Sequence, residues 1–170
     1  MIPTLKHGQR LRGESGWTRR VGAIVNLRHI DVILTVRGPK ASPYALFDGV
    51  KCPLVYEDPV VNVAAYLLEF PELAHPTPVG EPDLGEATLV VGHDEHWCRI
   101  TDVDRRNVRI NLPSYVPRPG DAGAPIIQDD KVVAMLASYW LNDMLGMGPR
   151  IDVALRELLD HFRRTNSTTR

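Results

Sequence analysis

The 170 residues include only two cysteines, Cys52 and Cys98. Two thiols in different halves of a chain this long do not make a disulfide framework, so both are expected to be free and buried. No apolar run approaches the roughly 20 residues of a membrane span, and Met1 is not followed by a charged and then apolar leader. A cytoplasmic protein with no membrane partner is the expectation. Neither sign of charge dominates: 20 Lys and Arg stand against 21 Asp and Glu, for a formal net charge of -1. That balance supplies no long-range field suited to nucleic acid or to an acidic membrane surface. The ends are locally basic, with Lys6, Arg10, Arg12, Arg19 and Arg20 ahead of the first apolar run and Arg163, Arg164 and Arg170 in a Ser/Thr-rich tail. They read as solvated, frayed termini.

The chain does hold many short Val- and Ile-rich runs separated by Gly, Pro, Asp and Asn, the pattern of successive hairpins. Candidate strands are 21–27, 32–36, 44–47, 54–56, 63–68, 88–91, 97–102, 108–112, 124–128 and 132–138. Between Pro71 and Gly85 the prolines at 71, 76, 78 and 82 exclude a helix or a sheet interior. The expected organisation is a first β unit over 1–72, a Pro-rich linker over 73–85, and a second β unit over 86–170, in one compact whole. Only Ile151, Ala154, Leu155, Leu158, Leu159 and Phe162 recur at helical spacing, after Pro149, which predicts a closing helix.

The stretch Gly120-Asp121-Ala122-Gly123-Ala124-Pro125, followed by an Asp129-Asp130 turn and Val132 to Ser138, resembles the nucleophile loop and hairpin of chymotrypsin-like serine proteases. The resemblance implies an all-β fold of two antiparallel Greek-key barrels with a C-terminal helix. It also implies that Gly120 and Ala122 supply the two amides of an oxyanion-type loop spanning Gly120, Asp121, Ala122 and Gly123. Ala122 falls at the nucleophile, where a methyl group cannot attack a carbonyl. Val32 to Gly38 is similar to the strand that ends at the family's general base, which places Gly38 there. Val61 to Leu68 is similar to the strand that begins at the triad acid, which places Asn62 there. An amide is uncharged and offers an imidazole the wrong partner. Neither His29 nor Asp58 restores a triad.

The same register puts Ser138-Tyr139-Trp140 along the edge where a substrate strand is bound, with Trp140 filling or lidding the specificity pocket and Val116 making any remaining pocket apolar. Asp121 is expected to hold its own loop. His93, His96 and Cys98 carry ligand types that zinc prefers, but they read better as a polar turn and a buried thiol, so no metal and no cofactor is expected. Cys98 could stand in as a nucleophile, although a buried structural thiol fits it better.

Three readings follow. The first is a triad-less protease homologue that binds a protein or peptide along Ser138 to Trp140. The second is a serine endopeptidase inactivated by Ser to Ala at position 122. The third is a structural or assembly component of a larger complex, such as a phage or secretion particle, built on the same scaffold.

Overall fold

Strands form where the apolar runs alternate with turn residues, and each sheet is built from hairpins. In the computed structural model, residues 6–27, 29–38, 42–47, 49–69 and 75–168 are described. The first sheet contains β1 (Arg10–Gly13), β2 (Thr18–Arg20), β3 (Ala23–Leu27), β4 (Ile30–Val36), β5 (Tyr44–Phe47), β6 (Val50–Asp58) and β7 (Val63–Leu68). The second contains β8 (Gly85–Val91), β9 (Asp94–Val103), β10 (Asn107–Asn111), β11 (Pro125–Gln128), β12 (Lys131–Met135), β13 (Ser138–Trp140) and β14 (Leu145–Pro149), followed by helix α1 (Ile151–Thr168). The strand orders are β2-β1-β5-β6-β7-β4-β3 and β12-β11-β8-β9-β10-β14-β13, and all the ladders are antiparallel. Each sheet is curled, as the all-β two-barrel expectation requires.

In both sheets the two edge strands are consecutive in the chain. Val21-Gly22 joins β2 to β3, and Leu136-Ala137 joins β12 to β13, so one short connection links the two edge strands of each sheet. The two corners face each other. A Cβ on Gly22 would lie 2.1 Å from Met135 Sδ, and one on Gly148 would lie 1.6 Å from the Met135 carbonyl oxygen, a backbone contact that requires glycine at 148.

The structure corrects the sequence reading at both ends. Arg10, Arg12, Arg19 and Arg20 are not on a frayed terminus but on the paired ribbon β1–β2. Its apolar signal is confined to the buried Leu11, with Arg10 and Arg12 exposed and Arg19 and Arg20 half-buried, so the ribbon reads as a basic tail. Strand β14 was also unexpected, because its Leu-Gly-Met-Gly-Pro sequence has loop composition; its glycines are there for close backbone approach. The tail beginning at Thr165 continues α1 to Thr168.

Residues 70–74, including the expected boundary at 72, lie outside the described residues. The rest of the Pro-rich segment is fastened to both sheets: the Thr77 amide donates to the Ile24 carbonyl at 2.8 Å, and Val132 donates to the Pro78 carbonyl at 2.9 Å. One apolar cluster is shared as well. Val25, Leu34, Val63 and Ala65 of the first sheet pack with Val132, Met135 and the α1 residues Ile151, Ala154 and Leu158. The rings of Tyr56 and His161 meet at 4.7 Å beside it. Cys52 and Cys98 are buried free thiols, pushed up to about 11 and about 12 respectively, chiefly by burial. At neutral pH neither offers a thiolate. Among the described residues no helix is long and apolar enough to cross a membrane.

Candidate functional site

Strands β4 and β7 pair in the register Val36 to Val63, which brings the residues just beyond them together. The Arg37 amide donates to the Asn62 carbonyl at 3.4 Å, so Gly38 and Asn62 leave the same end of the sheet. Asn62 has a left-handed backbone, φ 67°, a conformation asparagine tolerates better than most residues, and its amide donates to the Asp58 carbonyl at 2.8 Å.

Asp58 builds that turn. Its Oδ1 accepts the Val60 and Val61 amides at 2.9 and 3.1 Å, and its Oδ2 accepts the Tyr56 hydroxyl at 2.7 Å. Burial works to raise its pKa, but the hydrogen bonds from Tyr56, Val61 and Val60 outweigh it and hold the carboxyl below its ordinary value. A folded-state pKa lowered in this way gives stability that is present above the unfolded value and lost as pH falls through the folded one. Asp58→Asn should therefore be less stable than the parent at pH 7, and the two should converge below about pH 4. Urea unfolding across that range checks it; a difference that persists undiminished into acid would reject the charge argument.

Gly38 is closely covered. A Cβ built on it would lie 2.4 Å from Nε1 and 2.6 Å from Cδ1 of Trp17, an indole only 7% exposed. Trp17 is also pressed on Gly13, whose Cβ would fall 2.0 Å from its Cε2. The ring is therefore sandwiched between two glycines, with the Arg19 guanidinium 5.9 Å from its centroid. Arg19 Nε donates to the Arg37 carbonyl at 3.3 Å, which ties β2 to the segment carrying Gly38.

The loop from Arg118 to Gly123 meets the same side of the first sheet. The Arg20 amide donates to the Ala122 carbonyl at 2.8 Å, and the α-carbon of Gly123 lies where a Cβ would be 2.2 Å from the Arg20 carbonyl oxygen and 2.5 Å from Thr35 Oγ1. Thr35 belongs to β4, the strand that leads to Gly38. The structure thus brings Ala122 and Gly123 to the cleft end of β2 and β4; no hydrogen bond links Ala122 to Gly38 or Asn62.

Within the loop, Gly120 and Gly123 both have φ 97°, and the Gly123 amide donates to the Leu136 carbonyl at 2.7 Å. The amides of Gly120 and Ala122 donate to no group among the described residues. Asp121 is buried and heavily engaged: Oδ2 accepts the Tyr115 hydroxyl and, at 2.8 Å, the Arg118 amide, while Oδ1 lies 3.6 Å from Arg20. Burial and the bond to Asp121 push the Tyr115 phenol up to about 12. The carboxylate therefore holds its own loop and pins it to β2.

At the edge of the second sheet, β13 pairs only with β14, Tyr139 opposite Gly146. Ser138 and Trp140 face outward, while Tyr139 is half-buried and donates to the Leu112 carbonyl at 3.2 Å. Trp140 is 46% exposed, so its indole lies at the surface, and Val116 is exposed too. His96 stacks on Tyr115 with centroids 3.9 Å apart. Among the described residues no three His, Cys, Asp or Glu side chains gather closely enough to hold a metal ion.

Sequence reasoning missed the Trp17 indole over Gly38 and the Tyr115–Asp121 contact. Glycines at 13 and 38 were the available signal for the first, but nothing in a single sequence says that both flank one ring.

Two curled seven-stranded antiparallel sheets, a shared cleft and a closing helix define the two-barrel chymotrypsin fold of trypsin-like serine proteases. Among solved structures, Protease A of Thermobifida fusca is similar with a TM-score of 0.74 and 10% identity, over 91% of this chain and 96% of that one. Nocardiopsis protease (NAPase) matches with a TM-score of 0.73 and 9% identity, over 91% of this chain and 96% of that one. The serine endoprotease from Yersinia pestis matches with a TM-score of 0.73 and 12% identity, over 96% of this chain and 68% of that one. No family model matches the sequence, and no curated protein matches it. At these identities the likeness is one of fold.

Proposed function

We propose that the chain is a trypsin-fold protein without protease activity that serves as a binding module for a protein or peptide partner. The observation that carries this reading is the cover over Gly38: a Cβ at the position assigned to the general base would lie 2.4 Å from the Trp17 indole nitrogen. An imidazole there has neither a residue to carry it nor the space to occupy. The methyl group at Ala122 and the uncharged Asn62 add to the argument, since nucleophile, base and orienting acid act as a unit. The outward Ser138 and Trp140 on an edge strand suit a peptide added as a further strand, with the indole as its apolar contact.

The test is hydrolysis and labelling. Ala122→Ser should neither cleave a casein or peptide library nor react with a fluorophosphonate probe, because a serine hydroxyl without a base is unactivated. Peptide turnover by Ala122→Ser would instead establish a serine endopeptidase disabled at position 122 alone.

A further inference from the structure

The β1–β2 ribbon carries a charge arrangement that its own fold disfavours. Arg10 stands directly opposite Arg20 in the antiparallel register, and Arg12 follows two residues along on the same face. Like charges directly opposite on a sheet face are destabilising. Arg20 cannot swing away: its side chain is 14% exposed, Nη1 reaches the Gly8 carbonyl at 3.4 Å, and Nε is buried with no partner. Its one counter-charge, Asp121, is shared with the Tyr115 hydroxyl and the Arg118 amide. Arg10 and Arg12 have no ion-pair partner among the described residues.

Arg10, Arg20 and the Gly92-His93 turn wall two adjoining cavities of about 690 and 610 Å³ between the barrels. Arg12 lines only the first and Arg118 only the second, so the cations are strung along a groove and do not converge on one point. Among the described residues, Asp94 and Asp121 are the carboxylates that line it.

We propose that this groove binds an acidic peptide segment, an extended chain with carboxylates at alternate positions. This deepens the binding-module reading and rests on it for the identity of the ligand as part of a partner protein. Arginines two apart on a strand are roughly 7 Å apart, which matches alternate residues of an extended peptide at about 3.3 Å each. A single phosphate is too small to engage both ends of the groove. Nucleic acid fits less well, because the aromatic rings here, Phe47 and Tyr115, are packed or stacked on His96 and not offered to bases.

The experiment is fluorescence anisotropy with a fluorescein-labelled peptide of alternating Glu and Ser. Its Gln-Ser counterpart and a labelled thymidine oligonucleotide serve as competing probes. The Glu peptide should bind, weaken with added salt, and bind at least about tenfold more tightly than the Gln peptide, since charged partners set such differences. Arg10→Gln/Arg12→Gln, both exposed positions, should lose about tenfold or more in affinity for it. Arg10→Gln alone should raise the thermal midpoint, because it removes the like-charge pair; a structural role for Arg10 would lower it. Equal binding of the Gln peptide, tighter binding of the oligonucleotide, no binding, an unaffected double variant or a lowered midpoint each overturns the proposal. Fluorophosphonate labelling of the Ala122→Ser protein separates the two failures. A labelled chain that still binds the Glu peptide refutes the binding-module reading and keeps the groove, whereas an unlabelled chain that ignores the peptide does the reverse.

Discussion

Replacing Trp17 by alanine should lower the unfolding free energy by about 3–5 kcal/mol, the usual cost of deleting a large buried aromatic side chain. The site cannot close over the gap, because the ring lies between Gly13 and Gly38, neither of which has a side chain to move in. Tyr66, tilted against it at 6.2 Å, and the Arg19 guanidinium would both lose a packing surface. The same geometry makes Gly38→His destabilising in the parent protein, and it predicts coupling between the two sites. In Trp17→Ala the histidine should cost markedly less than in the parent, with an interaction energy of about 1–3 kcal/mol in a double-mutant cycle. Denaturant unfolding of the four proteins measures it. Additive effects would mean that the indole does not occupy the space above residue 38, and the argument for inactivity from position 38 would fail with it.

Gly123→Ala should be of similar severity, on the order of 4 kcal/mol, because two penalties add: a left-handed backbone forced on alanine, and a methyl group driven into neighbours that have no slack. With φ at 97° and a Cβ 2.2 Å from the Arg20 carbonyl oxygen, the contact is with backbone, which cannot rotate out of the way. Relief requires the loop to lift from β2, breaking the bond from the Arg20 amide to the Ala122 carbonyl at 2.8 Å. Thermal unfolding gives the size, and Gly120→Ala serves as a comparison. Gly120 shares the φ, but its nearest neighbour to a Cβ is Thr18 Cγ2 at 3.4 Å, so it should cost less. Equal losses at the two glycines would assign the effect to backbone conformation alone.

The strands that the sequence made plain are those whose apolar residues do the packing. Val63 to Leu68 and Tyr44 to Phe47 were placed to the residue, and the α1 stripe from Ile151 to Phe162 packs on the shared core as its spacing required. What stayed hidden depended on contacts between distant segments. Arg10 to Gly13 is a strand because Leu11 fills a core and Arg12 and Gly13 pair with Leu46 and Ala45. Leu145 to Pro149 is one because two glycines let it approach Met135 and Ile110. In the candidate site, the Gly120 to Pro125 loop was legible from local glycine chemistry. The indole over Gly38 and the arginine facing arginine across β1–β2 were not, since both arise only when the ribbon folds against β4 and β5. Trp140, expected to fill or lid a pocket, is 46% exposed.

The shared core also sets an order of events during synthesis. The side chains of Val25, Leu34 and Val63 are made early, yet the surface that covers them includes Ile151, Ala154 and Leu158, which leave the ribosome last among the described elements. Until α1 emerges, the amino-terminal barrel must wait with an oily flank uncovered, open to chaperones and to other nascent chains. Completion of the last helix is thus the step that seals the first barrel.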